Sequence, residues 1–309
     1  FKTIAPDARL SGKHPISLLT GDALHCNNVP LQAATQDVYG CDLYNGSIFH
    51  FRDSMEAVRS LAGGGPVVSY ETHPQAGLKP LRPGLAALQI LAQVIGGCRG
   101  LFIFDWSAGD TEFGFINDTA VPPPVRAELT RLFQLINTHQ AAFASARPPA
   151  EIAVLVSNPA TIHYGTGPDP AARDEYTRRL AQAYDLLRNQ HFAVDFIADS
   201  QLDSRLGGYR LLVLPSLSIL DPVGLAAVER FQKRGGKLLA FGDALARNER
   251  FAPMPPPAVL GLKSRAPAPW NRGMMRLVEA VPELAPWFRT ELTVQKPEIV
   301  NPAPPGARP

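Results

Sequence analysis

Short apolar runs alternate with amphipathic stretches over the first 150 residues, and the spacing switches between the periods of strand and helix. Residues 16–20 form one apolar run and predict a strand; residues 37–44 predict a second, ending in polar and aromatic side chains. Over residues 54–61, Met55, Val58 and Leu61 fall three apart, the spacing of one helix face. Gly63, Gly64 and Gly65 stop that helix. Pro66-Val67-Val68-Ser69-Tyr70 then reads as a buried strand that delivers Glu71 at its C-terminal end. Residues 84–95 predict an apolar helix through Leu85, Leu88, Leu91 and Ile95. Residues 100–106 predict a strand apolar on both faces, and residues 125–142 a helix striped by Leu129, Leu132, Phe133 and Ile136. Continuous apolar strands between helices predict a parallel sheet covered on both sides.

After the Pro148-Pro149 break the rhythm restarts. Residues 151–156 predict a strand, followed by a loop with Gly165 and Gly167 and then a helix over 173–190. Strands follow at 194–197 and 210–214. A helix over 222–234 has Asp221 as its N-cap and Pro222 at its first position, and Gly235-Gly236 ends it before a strand at 237–241. Four strands and two clear helices in this span describe a small doubly wound α/β domain. Beyond residue 250 the text turns Pro-rich and weakly helical, and no fold is assigned. The organisation is therefore 1–148, 149–250 and 251–309.

Composition changes this picture little. At 309 residues two domains are the prior expectation. The formal net charge is +2 with basic residues scattered, so no face for nucleic acid stands out, and no run reaches the ~18 apolar residues of a membrane span. Cys26, Cys41 and Cys98 are an odd number without CxxC spacing, which reads as free thiols rather than a zinc site or disulfide framework. The seven histidines are too dispersed to suggest a metal cluster. Neither a metal nor a cofactor is expected, and the free thiols suit a cytoplasmic location.

The chemistry gathers at strand ends. A carboxylate directly after a buried parallel strand sits at the sheet's C-terminal rim, where barrel enzymes build their sites; a surface-loop glutamate is the alternative for Glu71. The next strand ends Phe104-Asp105-Trp106 and an earlier one Asp42-Leu43-Tyr44, again pairing a carboxylate with an aromatic. Such ends suit a sugar, whose C–H faces stack on rings while its hydroxyls bond carboxylates. Core filling by Trp106 and a turn role for Asp42 are the plainer readings.

These segments carry a family resemblance. Ser69-Tyr70-Glu71-Thr72-His73-Pro74-Gln75, with Arg82-Pro83-Gly84 after it, resembles the strand-seven nucleophile segment of the family 42 glycoside hydrolases, the β-galactosidases of that clan. Gly100-Leu101-Phe102-Ile103-Phe104-Asp105-Trp106 resembles their eighth strand, although Ser107 stands where that family usually has Arg. Asp37-Val38-Tyr39-Gly40-Cys41-Asp42-Leu43-Tyr44 is similar to their sixth. Residues 151–243, through Tyr209-Arg210-Leu211-Leu212-Val213-Leu214-Pro215-Ser216-Leu217 and Gly235-Gly236-Lys237-Leu238-Leu239, resemble the amidotransferase-like module that follows the barrel and mediates trimer contacts. The resemblance implies a partial (β/α)8 barrel, about strands five to eight, followed by a flavodoxin-like, class I amidotransferase-like doubly wound domain.

The implied activity is retaining hydrolysis of β-galactoside-like carbohydrates, with Glu71 as nucleophile and Asp42, Tyr44, Trp106 and His73 against the substrate. The hydroxyl of Tyr44 or Tyr70 is expected to hold Glu71 ionised. Retaining hydrolysis needs a second carboxyl group ~5–5.5 Å away as acid/base. The family supplies it as a Glu following Asn at strand four, and Asn248-Glu249 is not at such a strand end. The resemblance puts strand four upstream of Phe1, so it implies a chain that starts mid-barrel and does not turn over glycosides alone. A non-catalytic sugar-binding or oligomerisation protein derived from such an enzyme is the competing reading. Glutaminase chemistry is excluded because no cysteine lies beyond residue 98.

Overall fold

Four parallel strands lie side by side in the order in which the chain makes them: β1 (Ser11–Pro15), β2 (Val38–Leu43), β3 (Val67–Thr72) and β4 (Cys98–Ile103). Between and after them run α1 (Val29–Ala33), α2 (Ile48–Leu61), α3 (Leu85–Ile95), α4 (Pro123–Thr138) and α5 (Gln140–Ser145). The computed structural model describes residues 9–15, 28–43, 48–72, 84–103, 123–147, 149–166, 170–267, 272–275, 292–295 and 298–302. The chain divides into two units, Phe1–Pro148 and Pro149–Pro309. The strand predicted at 16–20 lies outside the described residues, and the strand described in its neighbourhood is β1.

In the first unit the described helices line one side of the sheet. Helix α2 packs on α3 and α3 on α4. Leu101 and Ile103 of β4 reach into the cluster formed by Ala86, Ile90, Val125, Leu129 and Leu132. Phe102, between them in sequence, points the other way and is 55% exposed. Among the described residues the helices stand on this one side of the sheet. Right-handed crossovers advancing in one direction across a sheet all land on the same face, as in a β/α barrel. The predicted 125–142 helix is two helices, broken at His139, which stands at the N-cap position of α5 without a side-chain capping bond.

The second unit solves the same problem differently. Its parallel strands β5 (Ile152–Val156), β6 (Val194–Ala198), β7 (Leu211–Leu214) and β8 (Lys237–Ala240) stand in the order β6-β5-β7-β8. Because the direction of progress reverses after β6, crossovers fall on both faces. Helices α6 (Asn158–Thr166) and α7 (Pro170–Arg188) follow β5, and Tyr184 of α7 stacks on Phe196 at 4.8 Å. On the opposite face Ala153, Leu155, Ile197, Leu212 and Leu214 pack with Leu202 of α8 (Leu202–Arg205) and with Val228 and Phe231 of α9 (Pro222–Lys233). Asp221 caps α9 as its sequence predicts: its carboxylate accepts from the Gly224 N–H at 2.7 Å.

Helix α6 replaces part of the loop expected around Gly165. Its first turn is capped twice. The Ser157 hydroxyl accepts from the Ala160 N–H at 3.1 Å, and Asp199 accepts from both the backbone and the side-chain amide of Asn158. Tertiary capping here outweighs the low helix propensity of glycine. Past residue 250, Val259 joins the α9 core and its carbonyl accepts from Gln232. Farther on, β9 (Leu262–Pro267) pairs antiparallel with β12 (Glu298–Pro302), and β10 (Arg272–Met275) with β11 (Leu292–Gln295). Among the described residues no helix is long and apolar enough to cross a membrane.

Candidate functional site

Strand β3 is irregular on both its edges. Toward β2, Cys41 stands opposite Ser69 and Asp42 opposite Glu71, so Tyr70 is skipped. Toward β4, Ser69 is opposite Leu101 and Thr72 opposite Ile103, so three steps of β3 match two of its neighbour. Tyr70 and Glu71 together occupy the room of one residue, which is a β-bulge.

The side chains flanking the bulge go to the helix side. Ser69 and Thr72 are fully buried, with their hydroxyl oxygens 2.6 Å apart, and Thr72 Oγ1 donates to Gln93 Oε1 of α3 at 2.9 Å. Tyr70 goes to the other side. Its ring stacks on Phe102 with centroids 5.5 Å apart and planes 24° apart, and its hydroxyl donates to Ser11 Oγ at 2.5 Å. The ring also lies directly over Gly40, where a Cβ would stand 2.1 Å from its carbons.

Asp42, two residues beyond Gly40, shares that face, because side chains alternate along a strand. Glu71 is its register partner. The structure thus brings Glu71 and Asp42 side by side at the C-terminal ends of adjacent strands, on the sheet face opposite the helices. Asp42 is buried at 9% exposure and Glu71 is half-buried. Burial pushes the Glu71 carboxyl above the ordinary glutamate range.

The remaining predicted site residues, Tyr44, His73 and Trp106, lie outside the described residues. The expectation for the Tyr70 hydroxyl is corrected: it is committed to Ser11, one strand beyond β2. Reading the sequence for carboxylates and aromatics also passed over Ser69 and Thr72. Their signal was two hydroxyl residues three apart inside an apolar strand, a spacing that a regular strand sends to opposite faces.

An apolar groove of about 530 Å³ lies on the helix side of β4, lined by Ile90, Leu101, Phe133, Ile136 and Phe143 among others. It carries no carboxylate and sits across the sheet from Glu71, so it is separate from this site. Cys41 and Cys98 are buried free thiols, and burial raises both above the usual thiol range. Among the described residues no three His, Cys, Asp or Glu side chains are grouped to hold a metal.

Among solved structures the fold has clear counterparts. A catalytic mutant of Gan42B, a GH42 β-galactosidase from G. stearothermophilus, superposes with a TM-score of 0.70 at 18% identity, over 90% of this chain and 43% of its own. The β-galactosidase from Bacillus circulans sp. alkalophilus gives 0.76 at 18%, over 98% and 46%. The apo exo-carrageenase GH42 from Bacteroides ovatus gives 0.63 at 11%, over 82% and 37%. The chain spans less than half the length of these structures. No family model matches the chain, and no curated protein does. At these identities the likeness is one of fold: an α/β chain with parallel sheets and a glycoside hydrolase-like architecture.

Proposed function

We propose that the chain carries the nucleophile side of a retaining glycosidase site for β-galactoside-like substrates, with Glu71 as the nucleophile. The observation that carries this reading is the bulge that sets Glu71 beside Asp42 at the strand ends, on the helix-free face of a singly wound parallel sheet. Glu71 attacks the anomeric carbon, the glycosidic bond breaks, and a glycosyl ester forms on the carboxylate. Water then cleaves that ester, giving net retention. Asp42 accepts hydrogen bonds from sugar hydroxyls. Tyr44, Trp106 and His73 complete the sugar-facing rim, and the acid/base partner is a carboxylate outside the described residues. The second unit, a flavodoxin-like domain of the amidotransferase kind, serves assembly into trimers rather than chemistry.

The test uses a substrate that needs no acid. A 2-deoxy-2-fluoro-β-galactoside with a dinitrophenolate leaving group loses that group unassisted, and its fluorine slows the hydrolysis of the ester. Intact-protein and peptide mass spectrometry of the treated chain are expected to find one added sugar, on the peptide that contains Glu71. The Glu71→Gln chain is expected to take up none while retaining the wild-type circular dichroism spectrum. An unlabelled wild-type chain that still binds the sugar would instead favour the non-catalytic sugar-binding reading.

A further inference from the structure

The bulge in β3 is held from behind by a one-way chain of buried hydrogen bonds. The single hydroxyl proton of Thr72 goes to Gln93 Oε1, so the short Ser69–Thr72 contact must be donated by Ser69. Gln93 Nε2 continues the chain to the Gln89 carbonyl, one turn back on α3. Ser69, Thr72 and Gln93 are each at 0% exposure and Gln89 is at 2%.

Geometry gives this chain a function. In a regular strand, residues three apart face opposite ways. Ser69 and Thr72 can meet on one face only if an extra residue lies between them, and that residue is what brings Tyr70 and Glu71 to the other face together. Without the bulge, the strand beyond Ser69 would shift by one, and a one-residue shift reverses every side chain after it. Thr72 would then turn away from α3, and Glu71 would turn toward the helices.

We infer that Ser69, Thr72 and Gln93 form a positioning clamp that selects the bulged register of β3 and thereby aims the Glu71 carboxylate. The inference rests on the reading of Glu71 as the nucleophile, but part of its test does not. The probes are Thr72→Val, which keeps the shape and removes the hydroxyl, Thr72→Ser, which keeps the hydroxyl, and Ser69→Ala, which cuts the clamp at its other end.

The first measurement is the titration of the Glu71 side-chain carboxyl by carbon-13 NMR in the full chain. In wild type and Thr72→Ser it is expected above the ordinary glutamate range. In Thr72→Val and Ser69→Ala it is expected to change, since the carboxyl has left its seat. The second is labelling by the fluoro sugar. The maximal labelling rate is expected to drop about ten- to hundredfold in Thr72→Val, with the half-saturating concentration held within about twofold, and Thr72→Ser is expected to recover the rate.

Should Thr72→Val fail to fold, Ser69→Ala carries both measurements. Variants that melt earlier yet keep the wild-type Glu71 titration would overturn the clamp and leave only a packing role. If the wild type is never labelled, the glycosidase reading fails while the titration still judges the clamp.

Discussion

A carboxylate that attacks carbon has to be charged, and the seat of Glu71 works against its charge. Burial raises its pKa, so on the proposed reading the ionised, nucleophilic form is scarcer than in an exposed glutamate at the same pH. Labelling by the fluoro sugar is therefore expected to fall as pH drops, with the midpoint of the acid limb above the ordinary glutamate value near 4.3. A limb at or below that value in a rate profile measured over pH 3 to 8 would show that Glu71 is not the group reporting.

Stability runs the other way. The native state holds this proton more tightly than the unfolded chain does, so the contribution of Glu71 to stability is present below the unfolded pKa. It is lost as pH rises through the folded pKa. On the proposed reading, chemistry gains where the fold loses, which is the usual tension of a poised group. The strand-end positions of Glu71 and Asp42 were legible in the sequence because an apolar run ending in a carboxylate is a one-dimensional signal. The partner of Tyr70 was not, since Ser11 lies 59 positions away and only the lateral order of β1, β2 and β3 brings it within reach.

At the scale of elements, β3 depends on what its neighbours leave out. Tyr70 can lie flat across β2 only because residue 40 is glycine, and Phe102 then meets the same ring from β4. Three strands are thus tied across the helix-free face by one aromatic side chain. Gly40→Ala would drive a methyl group into the Tyr70 ring and force the side chain off its rotamer or the strands apart. The expected cost is about 1–3 kcal/mol, read from urea unfolding of the full chain at constant m-value. A change below about 0.5 kcal/mol would mean that the ring moves aside freely, and that Tyr70 holds nothing in place.

Helix boundaries show what pattern reading can and cannot reach at this scale. Helix α9 was legible because Asp221, Pro222 and the closing glycines are local signals. Helix α6 was not, because one of its caps, Asp199, arrives from the end of β6, 41 residues later. The bulge belongs with α6. It is fixed by Gln93 on another element, and period-two alternation has no symbol for an added residue.

Over the whole molecule, lateral strand order separates two ways of burying a parallel sheet. The second unit reverses direction once and covers both faces, so Phe196 and Ile197, adjacent in β6, are each buried to 0% exposure on opposite sides. The first unit never reverses. Its helix-facing Cys41, Leu43, Ser69 and Thr72 are buried, while Phe102 on the other face remains 55% exposed. Apolar surface left in water forgoes roughly 25 cal/mol for each Å², so the two units should differ in how well they stand alone.

Residues 149–309 produced separately are expected to unfold in one cooperative transition and to bind little of an apolar-surface dye such as ANS. Residues 1–148 produced separately are expected to bind the dye strongly and to melt earlier, because the sheet face carrying Tyr70 and Phe102 lacks a helical layer among the described residues. Calorimetry and dye fluorescence on the two separate polypeptides decide between these outcomes. Equal dye binding and equal melting would mean that the singly wound sheet buries its second face from within residues 1–148, and that Phe102 is covered by its own chain.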